Sequence, residues 1–227
     1  MQEHVARDLL CEIGRRAYAR RLVSASEGNF SCRLDGSTIL LTPTGICKGF
    51  MQPHDLVKVS LSGEVLEAGK RASSELPMYL TIYKHRPEVR GVVHAHPVYA
   101  TAFAITGTPV PNGILPEVEV FLGEVPTAPY ALTGTQAFGD VLVPYLAEHQ
   151  VLLLQNHGAL ALGPDLFTAY YRMETLDHYC QMLLAARALG ELQRLTDAQV
   201  QELLDLKARM GLPDRRHAPN SPINKGG

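Results

Sequence analysis

The sequence predicts a single α/β domain, and three observations carry that expectation. Short apolar segments bounded by turn residues recur along the chain, as buried strands do. Longer segments with apolar residues at helical spacing separate them, a pattern compatible with an α/β fold. The chain has 227 residues, 46% hydrophobic and 19% charged, enough for one domain with a full core.

The elements follow in order. Residues 3–21 read as an amphipathic helix, with Leu9, Leu10, Ile13 and Ala17 on one face and arginines on the other. Residues 26–31 form a turn in which Gly28 and Asn29 tolerate left-handed backbone, leading into strands over 30–34 and 38–41. Residues 41–45 are a second turn rich in small hydroxyl and glycine residues, and 56–60 a strand followed by a turn at Ser62-Gly63. A helix over 75–85 has Ser73 or Ser74 as its N-cap and Pro77 in its first turn. The apolar run within 89–97 is a strand, and 97–106 the helix after it. Residues 107–129 are the least regular part, with Glu117 and Glu119 expected on a solvated edge. A helix over 133–148, strands over 151–154 and 159–162, and a long helix from Asp165 complete the core. On that long helix Leu166, Ala169, Tyr170, Met173, Leu176, Cys180, Leu183 and Leu184 form a core stripe, while Glu174 and His178 are expected to pair on the surface. A last helix, 196–210, ends the domain at residue 212. The tail 213–227 is expected to be disordered unless a subunit ties it down.

Charge and cysteine usage narrow the function classes. A net charge of −2 and the lack of any basic run argue against a nucleic-acid partner. Cys11, Cys32, Cys47 and Cys180 are widely spread without a C-x-x-C pair, which predicts free thiols in a reducing compartment. The charged start lacks a leader-like apolar region, and no apolar run reaches membrane length. The expected location is cytoplasmic.

Chemistry is concentrated around His94 and His96. Two residues apart in a strand, both imidazoles leave the same face and can share a metal. Taken alone, the pair is equally well a strand end with two hydrogen-bonded histidines. His157 follows another apolar run, and Glu75 precedes a helix. Three imidazoles and one carboxylate fit a divalent transition metal with an open, catalytic position. The turns carrying Gly28, Asn29, Thr44 and Gly45, together with Ser73 and Ser74, could converge as an anion cradle of N–H and O–H donors. Each loop alone reads as a plain turn, and neither G-x-x-x-x-G-K nor G-x-G-x-x-G after a strand is present.

The ordered motifs Gly28-Asn29-x-Ser31, Thr42-Pro43-Thr44-Gly45, Ser73-Ser74-Glu75, RPEVRGVVHAHP and Asn156-His157-Gly158 resemble the class II aldolase/adducin family, over roughly residues 5–190, and its fuculose-phosphate aldolase branch in particular. The resemblance implies a three-layer α/β/α sandwich around a largely antiparallel sheet, assembled as a homotetramer. It implies Zn2+ or another divalent transition metal on His94, His96 and His157, with Glu75 as a further ligand and catalytic acid/base. A substrate phosphate site of Gly28, Asn29, Thr44, Gly45, Ser73 and Ser74 follows by the same route. The implied substrate is a sugar phosphate, cleaved reversibly to dihydroxyacetone phosphate and an aldehyde. Glu75 itself points to the aldolase branch, since the epimerase branch carries Asp there and decarboxylase-like relatives a Lys. One departure is Leu115, which stands where the aldolase branch has a catalytic tyrosine donated across the subunit interface; Glu117 and Tyr130 are the candidate substitutes. A pentulose-phosphate epimerase, a sugar-acid-phosphate decarboxylase and a metal-free adducin-like binding module are the alternatives within the family.

Overall fold

A computed structural model gives the fold and describes residues 2–212 and 214–217. The first half contains α1 (Glu3–Ala19), β1 (Asn29–Arg33), β2 (Thr38–Leu41), β3 (Val57–Ser60), α2 (Leu76–His85), β4 (Gly91–Ala95) and α3 (Val98–Thr106). The second contains α4 (Pro116–Phe121), β5 (Thr127–Ala128), α5 (Gln136–Asp140), α6 (Val143–Leu146), β6 (Val151–Leu154), β7 (Gly158–Gly163), α7 (Leu166–Leu189) and α8 (Asp197–Arg209).

Side-chain alternation along the strands builds the layers. In β6 and β7, Val151, Leu153, Ala159 and Ala161 join one apolar cluster, while Leu152, Leu154, Leu160 and Leu162 join another. A period of two with both faces apolar requires a sheet covered on both sides. Residues of α1, α3 and α7 fill the first cluster, and residues of α2, α5 and α6 the second. The sheet runs β3-β2-β1-β4-β7-β6-β5. Every neighbouring pair is antiparallel except β5 with β6. This is the three-layer α/β/α sandwich that the resemblance implies.

Several local expectations are corrected. The helix expected over 133–148 is two short helices, α5 and α6. Pro144 has no N–H to continue the ladder, so the helix breaks before it. Glu75 takes the N-cap position of α2, in place of Ser73 or Ser74, and without a side-chain capping bond. Glu174 does not pair with His178; its carboxylate meets Arg20 at 2.6 Å, a guanidinium whose planar fork of donors matches a carboxylate.

The largest correction concerns Glu119 and the start of the tail. Glu119 is fully buried on α4, and Arg216, only 6% exposed, reaches it at 2.6 Å. Asp214 completes the cluster with Arg216 and Lys207. Residues 214–216 are therefore docked, where disorder was expected; residues 218–227 lie outside the described part. Removing one partner of a buried ion pair strands the other charge and costs roughly 3–5 kcal/mol. Arg216→Ala is expected to lose stability on that scale, read as a lowered denaturation midpoint at unchanged slope.

Candidate functional site

Strand register brings the first residues together. Asn29 on β1 stands directly opposite His94 on β4, so the two side chains leave the same face of the sheet. That face is covered by α2, where Glu75 and Tyr79 lie one helical turn apart. The Tyr79 hydroxyl is 2.6 Å from the backbone oxygen and 2.7 Å from Oδ1 of Asn29. Burial pushes this hydroxyl well above its ordinary pKa and keeps it a donor. With Oδ1 accepting from Tyr79, the amide Nδ2 donates to Glu75 Oε2 at 2.7 Å.

His96 lies just past the end of β4, and His157 sits in the turn between β6 and β7. That turn is tight. Asn156 holds φ 56°, and a Cβ on Gly158 would stand 2.5 Å from Ala95 O and 2.7 Å from His96 Cδ2. Glycine is required there for His157 to approach the pair. The three rings then lie with centroids 4.6, 4.8 and 5.0 Å apart, and each offers a ring nitrogen within 4.8 Å of the others. Glu75 closes the group, with Oε2 3.3 Å from His94 Nε2 and Oε1 3.4 Å from His157 Nε2.

The protonation pattern suits a cation. His94 Nδ1 lies 2.9 Å from the carbonyl oxygen of Ala159. A carbonyl only accepts, so Nδ1 carries the hydrogen. Burial first, and the neighbouring His96 second, hold the ring pKa down to about 3, so the ring is neutral and Nε2 presents a lone pair. Burial and His94 hold His157 down to about 3 as well. His96 Nε2 faces His94 Nε2 at 3.2 Å. Its Nδ1 lies 3.3 Å from Glu27 Oε2. The His94 lone pair thus points toward His96 Nε2 and a buried carboxylate, Glu75, between two rings that burial holds neutral, His94 and His157. A tetrahedral ion about 2.0–2.1 Å from each nitrogen separates its ligand atoms by about 3.4 Å, close to the distances seen here. The donor set therefore fits a divalent transition metal.

The loops singled out from the sequence meet beside this cluster. Gly28, Asn29, Thr44, Gly45, Ser73, Ser74 and Glu75 line one cavity of about 170 Å³ together with His94 and His96. An isolated bridge between Pro43 and Ala72, and the bond from Ser73 N to Thr42 O, stitch the second and third loops together. Gly28 holds φ 67°, and a Cβ there would meet Val23 Cγ1 at 2.6 Å, so this turn too demands glycine.

Sequence reasoning missed three residues here. Tyr79 sets the Asn29 amide, Glu27 touches His96, and Lys48 lines the same cavity. Lys48 is 1% exposed, its Nζ donates to Ser26 O and Ile46 O at 2.7 and 2.8 Å, and burial lowers its pKa to about 8. Only Tyr79 carried a signal, its spacing of four from Glu75.

A second cavity, about 630 Å³, is larger but lies apart from the imidazoles. Leu115 and Glu117 line it with Arg20 and Glu174, and it has no clustered metal-ligand set among the described residues. Within one chain, therefore, Glu117 does not face the three histidines. Tyr130 is 61% exposed.

Known proteins share this arrangement of the chain. The sequence profile of the Class II Aldolase and Adducin N-terminal domain matches residues 8–184. The 3-oxo-tetronate 4-phosphate decarboxylase of Pectobacterium atrosepticum is 35% identical over 80% of this chain and 84% of its own. The L-fuculose phosphate aldolase of Methanococcus vannielii is 33% identical over 73% of this chain and 88% of its own. Among solved structures, YgbL of Escherichia coli, described as of aldolase/epimerase/decarboxylase type, superposes with a TM-score of 0.82 at 30% identity, covering 88% of this chain and 98% of that one. The L-fuculose-1-phosphate aldolase of Thermus thermophilus gives 0.72 at 32% identity, covering 82% and 95%. Enzymes of this group act on sugar phosphates and are generally metal-dependent, and in the described residues no helix is long and apolar enough to cross a membrane. With its profile match spanning most of the chain and its sheet of the same build, the protein belongs to the class II aldolase/adducin family.

Proposed function

We propose that the protein is a metal-dependent carbon–carbon lyase whose phosphorylated substrate leaves as dihydroxyacetone phosphate. The observation that carries this reading is Glu75, a buried carboxylate held by Asn29 and flanked by His94 and His157. His94, His96 and His157 would hold the ion, with Glu75 as a further ligand in the resting state. An ion bound there supplies Lewis-acid stabilisation of the negative charge that develops on the substrate's carbonyl oxygen. Gly28, Asn29, Thr44, Gly45, Ser73 and Ser74 bind the phosphate and fix the three-carbon end. Glu75 then delivers a proton to the carbanionic carbon once the carbon–carbon bond has broken.

The same half-site serves two leaving groups. In a 3-oxo-tetronate 4-phosphate the bond to the carboxylate breaks, CO2 departs, and the enediolate takes one proton to give dihydroxyacetone phosphate. In a ketose 1-phosphate an aldehyde departs instead, and its hydroxyl must first lose a proton. Leu115, at the position of the aldolase tyrosine, cannot accept one, whereas CO2 leaves without any proton transfer. We therefore favour the decarboxylase reading, in keeping with the relative that matches over four-fifths of the chain. The retro-aldol reading is supported by Glu75, the residue type of the aldolase branch, and by the aldolase relatives.

The cavity of about 170 Å³ is smaller than the roughly 300 Å³ of a complete ligand pocket. A neighbouring subunit of a homotetramer would supply the remaining wall, and a cytoplasmic location suits the four free thiols. A coupled assay for dihydroxyacetone phosphate over 3-oxo-tetronate 4-phosphates and ketose 1-phosphates tests the choice. Turnover of the acid with release of CO2 is expected. Turnover of a ketose 1-phosphate alone transfers the assignment to the aldolase. Purified protein that carries no metal and takes up none removes the lyase reading in favour of a binding module.

A further inference from the structure

We propose that Glu27 is a positioning residue of the metal centre, selecting the ring tautomer of His96 that can bind the ion. The inference rests on the metal site proposed above. His94 obtains its tautomer from a backbone carbonyl, Ala159 O at 2.9 Å. Among the described residues no backbone carbonyl is hydrogen-bonded to the His96 ring; its Nδ1 meets Glu27 Oε2 at 3.3 Å. A neutral imidazole otherwise exchanges between two tautomers, and the one protonated at Nε2 has no lone pair to offer. A carboxylate at Nδ1 selects the other form and makes Nε2 more basic.

Glu27 is itself held in place. Its Oε1 accepts from the backbone N–H and the hydroxyl of Ser24, both at 3.0 Å, and Glu27 N donates to Ser24 O at 3.1 Å. Ala25, inside this turn, holds φ 43°, a conformation that alanine adopts only when its surroundings impose it. Lys48 Nζ fixes the next residue through Ser26 O at 2.7 Å. The carboxylate oxygens thus divide between two tasks, one anchoring the turn and one facing the ring. His96 is the most exposed of the three imidazoles, at 23% against 1% for His94 and 15% for His157. It is the ligand least constrained by packing, and so the one that gains most from a charged partner.

The test uses the full chain with Glu27→Gln, Glu27→Ala and Ser24→Ala. Zn2+ affinity is measured by competition with a chromophoric chelator, and the ring tautomers of the metal-free proteins are read from imidazole nitrogen chemical shifts. Glu27→Ala is expected to weaken Zn2+ binding about 10- to 100-fold and to move His96 from the Nδ1–H form to a mixture, leaving His94 unchanged. Glu27→Gln keeps an acceptor oxygen, so the tautomer is expected to persist while the affinity falls less; Ser24→Ala is expected to fall between it and wild type. Folded Glu27→Ala protein with wild-type affinity, or a wild-type His96 already protonated at Nε2, overturns the proposal. Wild-type protein that binds no Zn2+ overturns the metal site itself, a result distinct from both.

Discussion

Replacing His94 with alanine is expected to remove stoichiometric metal and to lower kcat/KM by about a thousandfold or more. His94 is the fully buried imidazole, on a strand paired on both sides, with Nε2 already aimed at the cluster. Lewis-acid stabilisation is worth several kcal/mol, and about 4 kcal/mol corresponds to three decades in rate. The substitution also removes the ring's hydrogen bond to Ala159 O, worth about 0.5–1.5 kcal/mol, so the variant should be less stable than wild type but folded. Thermal denaturation separates the two effects. Metal at a hundred times its Kd should stabilise wild type by about 2.7 kcal/mol, whereas His94→Ala should show no shift. A shift of wild-type size in the variant would contradict the assigned ligand.

Glu75→Gln should act differently, lowering kcat by about 10²- to 10⁴-fold while retaining most of the metal. The amide preserves shape but can neither take up nor deliver the proton. It also turns a clean acceptor into a mixed group opposite the donating Nδ2 of Asn29, so some disorder of that contact is expected. The decisive measurement needs no leaving group. Dihydroxyacetone phosphate incubated with wild-type protein in D2O should exchange one carbon-bound hydrogen, because forming and reprotonating the enediolate is the shared half-reaction. Glu75→Gln should exchange none. Undiminished exchange in the variant would move the proton-transfer role to another group.

Much of this was legible in the sequence because it rests on short-range rules. Strand periodicity placed β1, β2, β4, β6 and β7 within a residue or two, and the i,i+2 spacing of His94 and His96 put both rings beside one cluster. His157, although remote in sequence, was recognisable from the apolar strand that delivers it. What the sequence left open depends on tertiary partners. Glu119 looks like any acidic surface residue until Arg216, 97 positions away, is seen beside it. Lys48 and Glu27 have no local pattern that reports their contacts, since Lys48 Nζ reaches Ser26 O across 22 positions and Glu27 meets His96 from a different loop. The two-residue β5 is too short to carry a period, and its pairing with β6 comes from the chain's path.

The order in which the cluster's members occur along the chain bears on biosynthesis. Glu27, Glu75, His94 and His96 all leave the ribosome before β6 and β7, yet His157 arrives only with the turn between those two strands. β7 then pairs with β4, so the central ladder closes late and between distant segments, the kind of contact that folds slowly. Loading of the proposed ion would therefore be a finishing step: an arrested nascent chain ending before β6 is expected to show no specific Zn2+ uptake, and metal occupancy in the cell to follow the fraction of chains that completed the sheet.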